Sequence, residues 1–105
     1  MHNALHADLE SISPESCRVR VSGELDVATT GEVRSILRTA LRSYRHIVID
    51  LGRLEFCDCS GLSALLAADR AARACGAELR LRAVPHSLAR ILRLTGVQGA
   101  FTVEP

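Results

Sequence analysis

The segment His46-Ile47-Val48-Ile49-Asp50-Leu51 constrains this chain more than any other, because it is nearly continuous in aliphatic residues and stands between two stretches of helical periodicity. Such a run suits a central strand with helices covering its faces. Upstream, Val33, Ile36, Leu37, Ala40, Leu41 and Tyr44 recur at spacings of three and four and form one apolar stripe, while Arg34, Arg38, Arg42 and Arg45 occupy another face. That helix buries one side and solvates the other. Thr29, with Glu32 three residues later, reads as a capping box at its start. Downstream, residues 60–75 form an Ala- and Leu-rich helix that ends before Gly76, with Leu62, Leu65, Leu66, Ala68, Ala72 and Cys75 on its core face.

The remaining segments complete an alternation of strands and helices. Residues 5–12 alternate weakly as an edge strand, and Ser13-Pro14-Glu15-Ser16 forms a turn. Cys17, Val19 and Val21 then share one face of a half-buried strand that pairs antiparallel with the first. Gly23-Glu24-Leu25-Asp26 closes this strand and leads into the first helix. A loop containing Gly52 follows the aliphatic strand. Residues 78–84 alternate as a further strand, and Pro85 opens a helix whose Leu88, Ile91, Leu92 and Thr95 share a face up to Gly96. Residues 100–103 add a short final strand. The order β-β-α-β-α-β-α-β predicts an α/β fold, a mixed and mostly parallel sheet with crossover helices, in a single domain over 1–105.

Composition narrows the function classes. A 48% hydrophobic content supports one core, which is aliphatic because the aromatics are only Tyr44, Phe56 and Phe101. The net charge of +1 gives no strong field for nucleic acid or an acidic membrane, and all thirteen basic residues are arginine. No apolar run reaches the length of a membrane span and the N-terminal residues lack a signal-peptide core, so a cytoplasmic protein with no membrane insertion is expected. The cysteines are Cys17, Cys57, Cys59 and Cys75. Cys57-Asp58-Cys59 is a C-x-C, and no nearby histidine completes a metal-ligand set, so neither metal nor cofactor is expected and the thiols read as free, buried or partly buried.

Leu51 to Leu66, LGRLEFCDCSGLSALL, is the informative stretch. Asp58-Cys59-Ser60-Gly61 opens a helix after a short loop, with Ser60 as the candidate N-cap and Gly61 leaving room for something to approach the backbone. A helix start of this kind suits an anion, a phosphorylated side chain or a partner's carboxylate; taken alone, the tetrad is a plain cap. A hydrolase would need Ser60 or Cys59 as nucleophile with His46 or His86 as base, but no orienting acid or G-x-S-x-G elbow accompanies them. No P-loop or G-x-G-x-x-G is present either. A binding module with no catalytic residues is expected.

Gly23-Glu24-Leu25-Asp26, the aliphatic strand at 47–51, Phe56-Cys57-Asp58-Cys59-Ser60-Gly61-Leu62 and Leu92-Arg93-Leu94-Thr95-Gly96 together resemble the STAS family over about residues 5–103, and stand-alone anti-sigma factor antagonists in particular. The resemblance implies a partner-switching regulator of transcription. It would bind an anti-sigma factor with serine/threonine kinase activity and so release a sigma factor. In that family the residue directly after the aspartate is a phosphorylated serine. Here Asp58, Gly61 and Leu62 match the motif and Ser60 matches its second hydroxyl residue, while Cys59 stands at the acceptor position. A cysteine there puts the usual switch in doubt and leaves Ser60 as the alternative acceptor. The implied partner surface is Glu24, Asp26, Asp58, Cys59, Ser60, Gly61 and Leu62. The family also serves in transporter, lipid-transport and stressosome-like assemblies, a non-enzymatic alternative, and the sequence leaves the oligomeric state open.

Overall fold

The structure, a computed structural model, describes residues 4–104; the ends of the expected domain, 1–3 and 105, lie outside the described residues. The elements in chain order are β1 (His6–Ser13), β2 (Ser16–Leu25), α1 (Thr30–Ser43), β3 (His46–Cys57), α2 (Cys59–Ala74), β4 (Glu78–Arg82), α3 (His86–Thr95) and β5 (Thr102–Val103), with a 3-10 turn at Gln98–Ala100. They build one sheet in the order β1-β2-β3-β4-β5. β1 and β2 pair antiparallel through the turn at Pro14 and Glu15, and every other pair is parallel. The backbone carbonyl of Glu15 in this turn accepts the N–H groups of both Arg45 and His46 at 2.9 Å, which anchors the start of β3 beside the hairpin.

Strand order explains where the core sits. From β2 onward each crossover steps one strand in the same direction, so three right-handed crossovers lay all three helices on one face of the sheet. Burial agrees. Cys17, Val19 and Val21 on β2, Ile47, Ile49 and Leu51 on β3, and Leu79 and Leu81 on β4 are buried against Val33, Leu37, Ala40, Leu62, Leu65, Ala72, Leu88 and Leu92 of the helices. The alternate residues carry charge instead: Glu10 on β1 lies 3.6 Å and 3.7 Å from Arg18 and Arg20 of β2, and Glu78 lies 2.7 Å from Arg80. The expectation that helices cover both faces of the aliphatic strand is therefore corrected. Only one face of β3 is covered, and His46, Val48 and Asp50 on the other are exposed or half-buried.

β4 ends at Arg82 and not at residue 84, β5 begins at Thr102 and not at residue 100, and two further differences from the sequence reading bear on the packing. β3 does not end at a loop around Gly52 but runs on to Cys57, because β2 continues beside it as far as Leu25. The pairing passes from Arg20–Asp50 to Ser22–Arg53 and from Gly23–Leu54 to Glu24–Phe56, so β3 takes up an extra residue twice. Bulges of this kind let a strand continue while bending it. Gly23 makes one of them possible. Its φ is +93°, and a β-carbon there would sit on the carbonyl oxygen of Ala4. The second difference is Cys75, which caps the C-terminus of α2 in an exposed position and does not share its core face.

Candidate functional site

β2 and β3, the two longest strands, end side by side, and that end of the sheet assembles the site. Leu25 pairs with Cys57, and the Asp58 N–H donates to the Leu25 carbonyl at 3.2 Å, which ties the start of α2 to the end of β2. The chain leaving β2 folds into a compact turn. The Oδ1 of Asp26 accepts the Ala28 N–H at 2.9 Å, and the backbone carbonyl of Asp26 accepts the N–H groups of Thr29 and Thr30 at 3.1 and 3.0 Å. An aspartate that bonds its own backbone two residues on fixes such a turn without help from distant elements.

Thr29 sits at the N-cap of α1 but forms no capping box with Glu32. It is buried, and its hydroxyl donates to the Glu24 carbonyl at 2.8 Å and accepts the Asp26 N–H at 3.0 Å. The side chain thus pins the 24–29 loop rather than the helix end, because the loop's polar backbone groups would otherwise be buried without partners.

The start of α2 corrects a second capping assignment. Asp58, not Ser60, is the N-cap, and its Oδ1 accepts the Gly61 N–H at 3.0 Å. Ser60 lies half-buried in the first turn, and Cys59, the first helical residue, is exposed. Aspartate suits this cap because its charge lies against the positive end of the helix dipole. One consequence is that a carboxylate of the chain itself already occupies part of the expected anion-binding end. Gly61 is also explained internally. A β-carbon there would lie 2.7 Å from the Cys57 sulfur, 2.7 Å from Leu25 Cγ and 2.9 Å from the Leu25 carbonyl oxygen. What approaches this glycine is the chain's own β2 and β3. Leu62 likewise points into the core, 5% exposed.

Of the seven residues expected to meet a partner, five remain at the surface: Glu24, Asp26, Asp58 and Ser60 are half-buried and Cys59 is exposed. Gly61 and Leu62 shape the site from within. Two apolar residues that the sequence reading did not single out as contacts join them. Val27, at the tip of the loop, is 76% exposed, and Phe56, beside Glu24 in the strand register, is 48% exposed. The signal for Phe56 was present in its chain position next to Cys57. Val27 gave none, since a valine after a strand reads as strand or helix until the Asp26 turn is seen.

The thiols divide sharply. Cys57 is buried, and burial, then the charge of Asp58 and the neighbouring Cys59, pushes its thiol up to about 12; burial also raises that of Cys17. Cys59 and Cys75 are exposed, against the expectation that all four thiols are buried or partly buried. His46, one of the two candidate bases of the hydrolase reading, begins β3 while Cys59 follows its end, on the order of 30 Å away along the strand.

A family model described as "Mlab, STAS domain" matches residues 9–104. The anti-sigma F factor antagonist of Paenibacillus polymyxa is 36% identical over 81 residues, which covers 75% of this chain and 69% of that protein. The fold superposes on an anti-sigma factor antagonist from Mycobacterium paratuberculosis with a TM-score of 0.85 at 25% identity, over 97% of this chain and 86% of the other. It also superposes on the Bacillus cell fate determinant SpoIIAA in its phosphorylated form with a TM-score of 0.75 at 22% identity, over 95% and 92%.

Proposed function

This chain belongs to the STAS domain family, and we propose that within it the protein is an anti-sigma factor antagonist: a non-enzymatic cytoplasmic regulator that binds an anti-sigma factor with serine/threonine kinase activity and so frees a sigma factor. Its docking surface is the Asp26–Thr29 loop with the start of α2, where exposed Val27 and Phe56 flank half-buried carboxylates. Apolar side chains set among polar ones are the usual anatomy of such a contact.

The observation that carries the reading is the position of Cys59. It is the first residue of α2, exposed, directly after the capping aspartate, at the end of the sheet where β2 and β3 finish together. A phosphate there would add about −1.5 to −2 charges beside the carboxylates of Glu24, Asp26 and Asp58 and would make burial of this segment in an interface costly. A thiol offers no hydroxyl for in-line transfer. Ser60 is a poor replacement for two reasons. It is half-buried, and adjacent helical residues project about 100° apart, so its hydroxyl leaves the helix in another direction. The protein therefore stays in its binding-competent form.

Titration calorimetry with the kinase-type anti-sigma factor of the same genome tests the surface. Val27→Asp and Phe56→Ser, both at exposed positions, should weaken binding by about 1–3 kcal/mol each with an unchanged circular dichroism spectrum. Full affinity in both variants would move the interface elsewhere.

A further inference from the structure

The helix layer carries charge that the candidate site does not use. α1, α2 and α3 hold seven arginines against two carboxylates, Glu32 and Asp69, a surplus of five positive charges in a chain whose net charge is +1. The strands and loops are correspondingly negative by four. On the open sheet face, opposite charges meet as ion pairs, across β1 and β2 at Glu10 with Arg18 and Arg20 and within β4 at Glu78 with Arg80. In the helices, Asp69 pairs with Arg73 at 2.9 Å, while among the described residues no ion pair reaches Arg34, Arg38 or Arg42.

Two of these arginines, Arg34 and Arg38, border a groove. α1 contributes Arg34, Leu37, Arg38 and Leu41, and α2 contributes Ala64, Ala67, Ala68 and Ala71. Both quartets follow the spacing i, i+3, i+4, i+7, so each is one continuous helix face, about 10 Å long at 1.5 Å per residue. Leu37, Ala64 and Ala68 form a buried floor, and Ala67 and Ala71 leave the α2 side low enough for another backbone to approach closely. An apolar floor with positive charge along one wall is complementary to an amphipathic helix that carries carboxylates beside its apolar stripe.

We propose that the α1–α2 groove is a second docking site, which takes an acidic amphipathic helix of a partner protein. The groove favours this occupant over an anionic membrane. Interfacial binding depends on bulky apolar side chains that project, whereas here the leucines are recessed and the exposed large apolar residues, Val27, Phe56 and Leu94 among them, lie outside the groove lining. The inference is independent of the Cys59 surface, and its failure leaves that reading untouched.

The test is a nuclear magnetic resonance titration of the full chain. The probe is a helical peptide of about 18 residues, long enough to hold its structure, with a Leu/Ala stripe flanked by glutamates; the control carries lysines in their place. The glutamate peptide should saturably shift the amides of Arg34, Leu37, Leu41, Ala67 and Ala71, and the lysine peptide should bind roughly tenfold more weakly or not at all. Arg34→Glu combined with Arg38→Glu should reverse that preference. Ala71→Phe, which fills the groove from an exposed position, should abolish binding with the helical spectrum retained. Equal shifts with both peptides, shifts outside the groove, or no response to the glutamate peptide would overturn the proposal. So would phosphatidylglycerol vesicles shifting the groove residues where the peptide does not, which would reassign the surface to a membrane.

Discussion

Two of the four cysteines, Cys59 and Cys75, stand in solvent, and Cys17 and Cys57 are sealed in the core. A thiol reagent at about pH 8 should therefore modify two sites in the native protein and all four after unfolding, as read by intact mass. The buried pair also sets an alkaline limit on stability. The Cys57 thiol titrates near 9.0 when solvated and at about 12 in the folded protein. Below the first value both states are protonated and the thiol has no pH effect. Between the two values only the unfolded chain loses its proton, so stability falls as pH rises, and Cys17 adds to the fall with the same sign. The urea midpoint should hold steady to about pH 8 and decline towards pH 10, less steeply in Cys57→Ala; a midpoint independent of pH over that range would show that the thiols are not buried as described. The division was not legible in the sequence. Residues two apart share a face on a strand, but Cys57 ends β3 and Cys59 begins α2, so the C-x-C straddles a change of period.

At the scale of elements, the faces of the alternating strands were legible, whereas the open face of aliphatic β3 and the element ends were not. Alternation at Cys17, Val19 and Val21 or at Leu79 and Leu81 is a local property, and the structure buries those residues as expected. The ends depend on neighbours distant in sequence. β3 outlasts Gly52 only because β2 lies alongside it, and Thr29 abandons the capping box because the Glu24 carbonyl comes within 2.8 Å. Gly61 shows the same dependence most clearly. Read as an opening for a partner, it is the seam where α2 packs on Leu25 and Cys57. Gly61→Ala should consequently destabilise the domain by about 1–3 kcal/mol, the usual effect of overpacking, as measured by urea unfolding. An unchanged midpoint would mean that the seam has room the geometry denies it. A bulkier residue there would disturb the fold itself, so any loss of partner binding would say nothing about contact.

Over the whole molecule, the sequential strand order with the helices on one face leaves the protein with distinct surfaces: an ion-paired open sheet, a positive helix layer, and the end of β2 and β3 where the Asp26 loop meets α2. The order of elements was legible because each has its own period, and the mixed sheet follows from one hairpin and three crossovers. The meeting of the Asp26 loop with the start of α2 was legible too, since both follow parallel strands at the same end of the sheet; that Val27 and Phe56 are the apolar residues exposed there was not. On this account that end is a partner-binding surface held permanently ready, because a thiol stands where a hydroxyl would receive phosphate. Incubation with the kinase-type anti-sigma factor and ATP, followed by intact-mass spectrometry of wild type and Cys59→Ser, tests this most directly. Wild type should gain no mass, and Cys59→Ser should gain a single phosphate, localised to residue 59. A stoichiometric phosphate on wild-type Ser60 would contradict this account and make the protein a reversible switch.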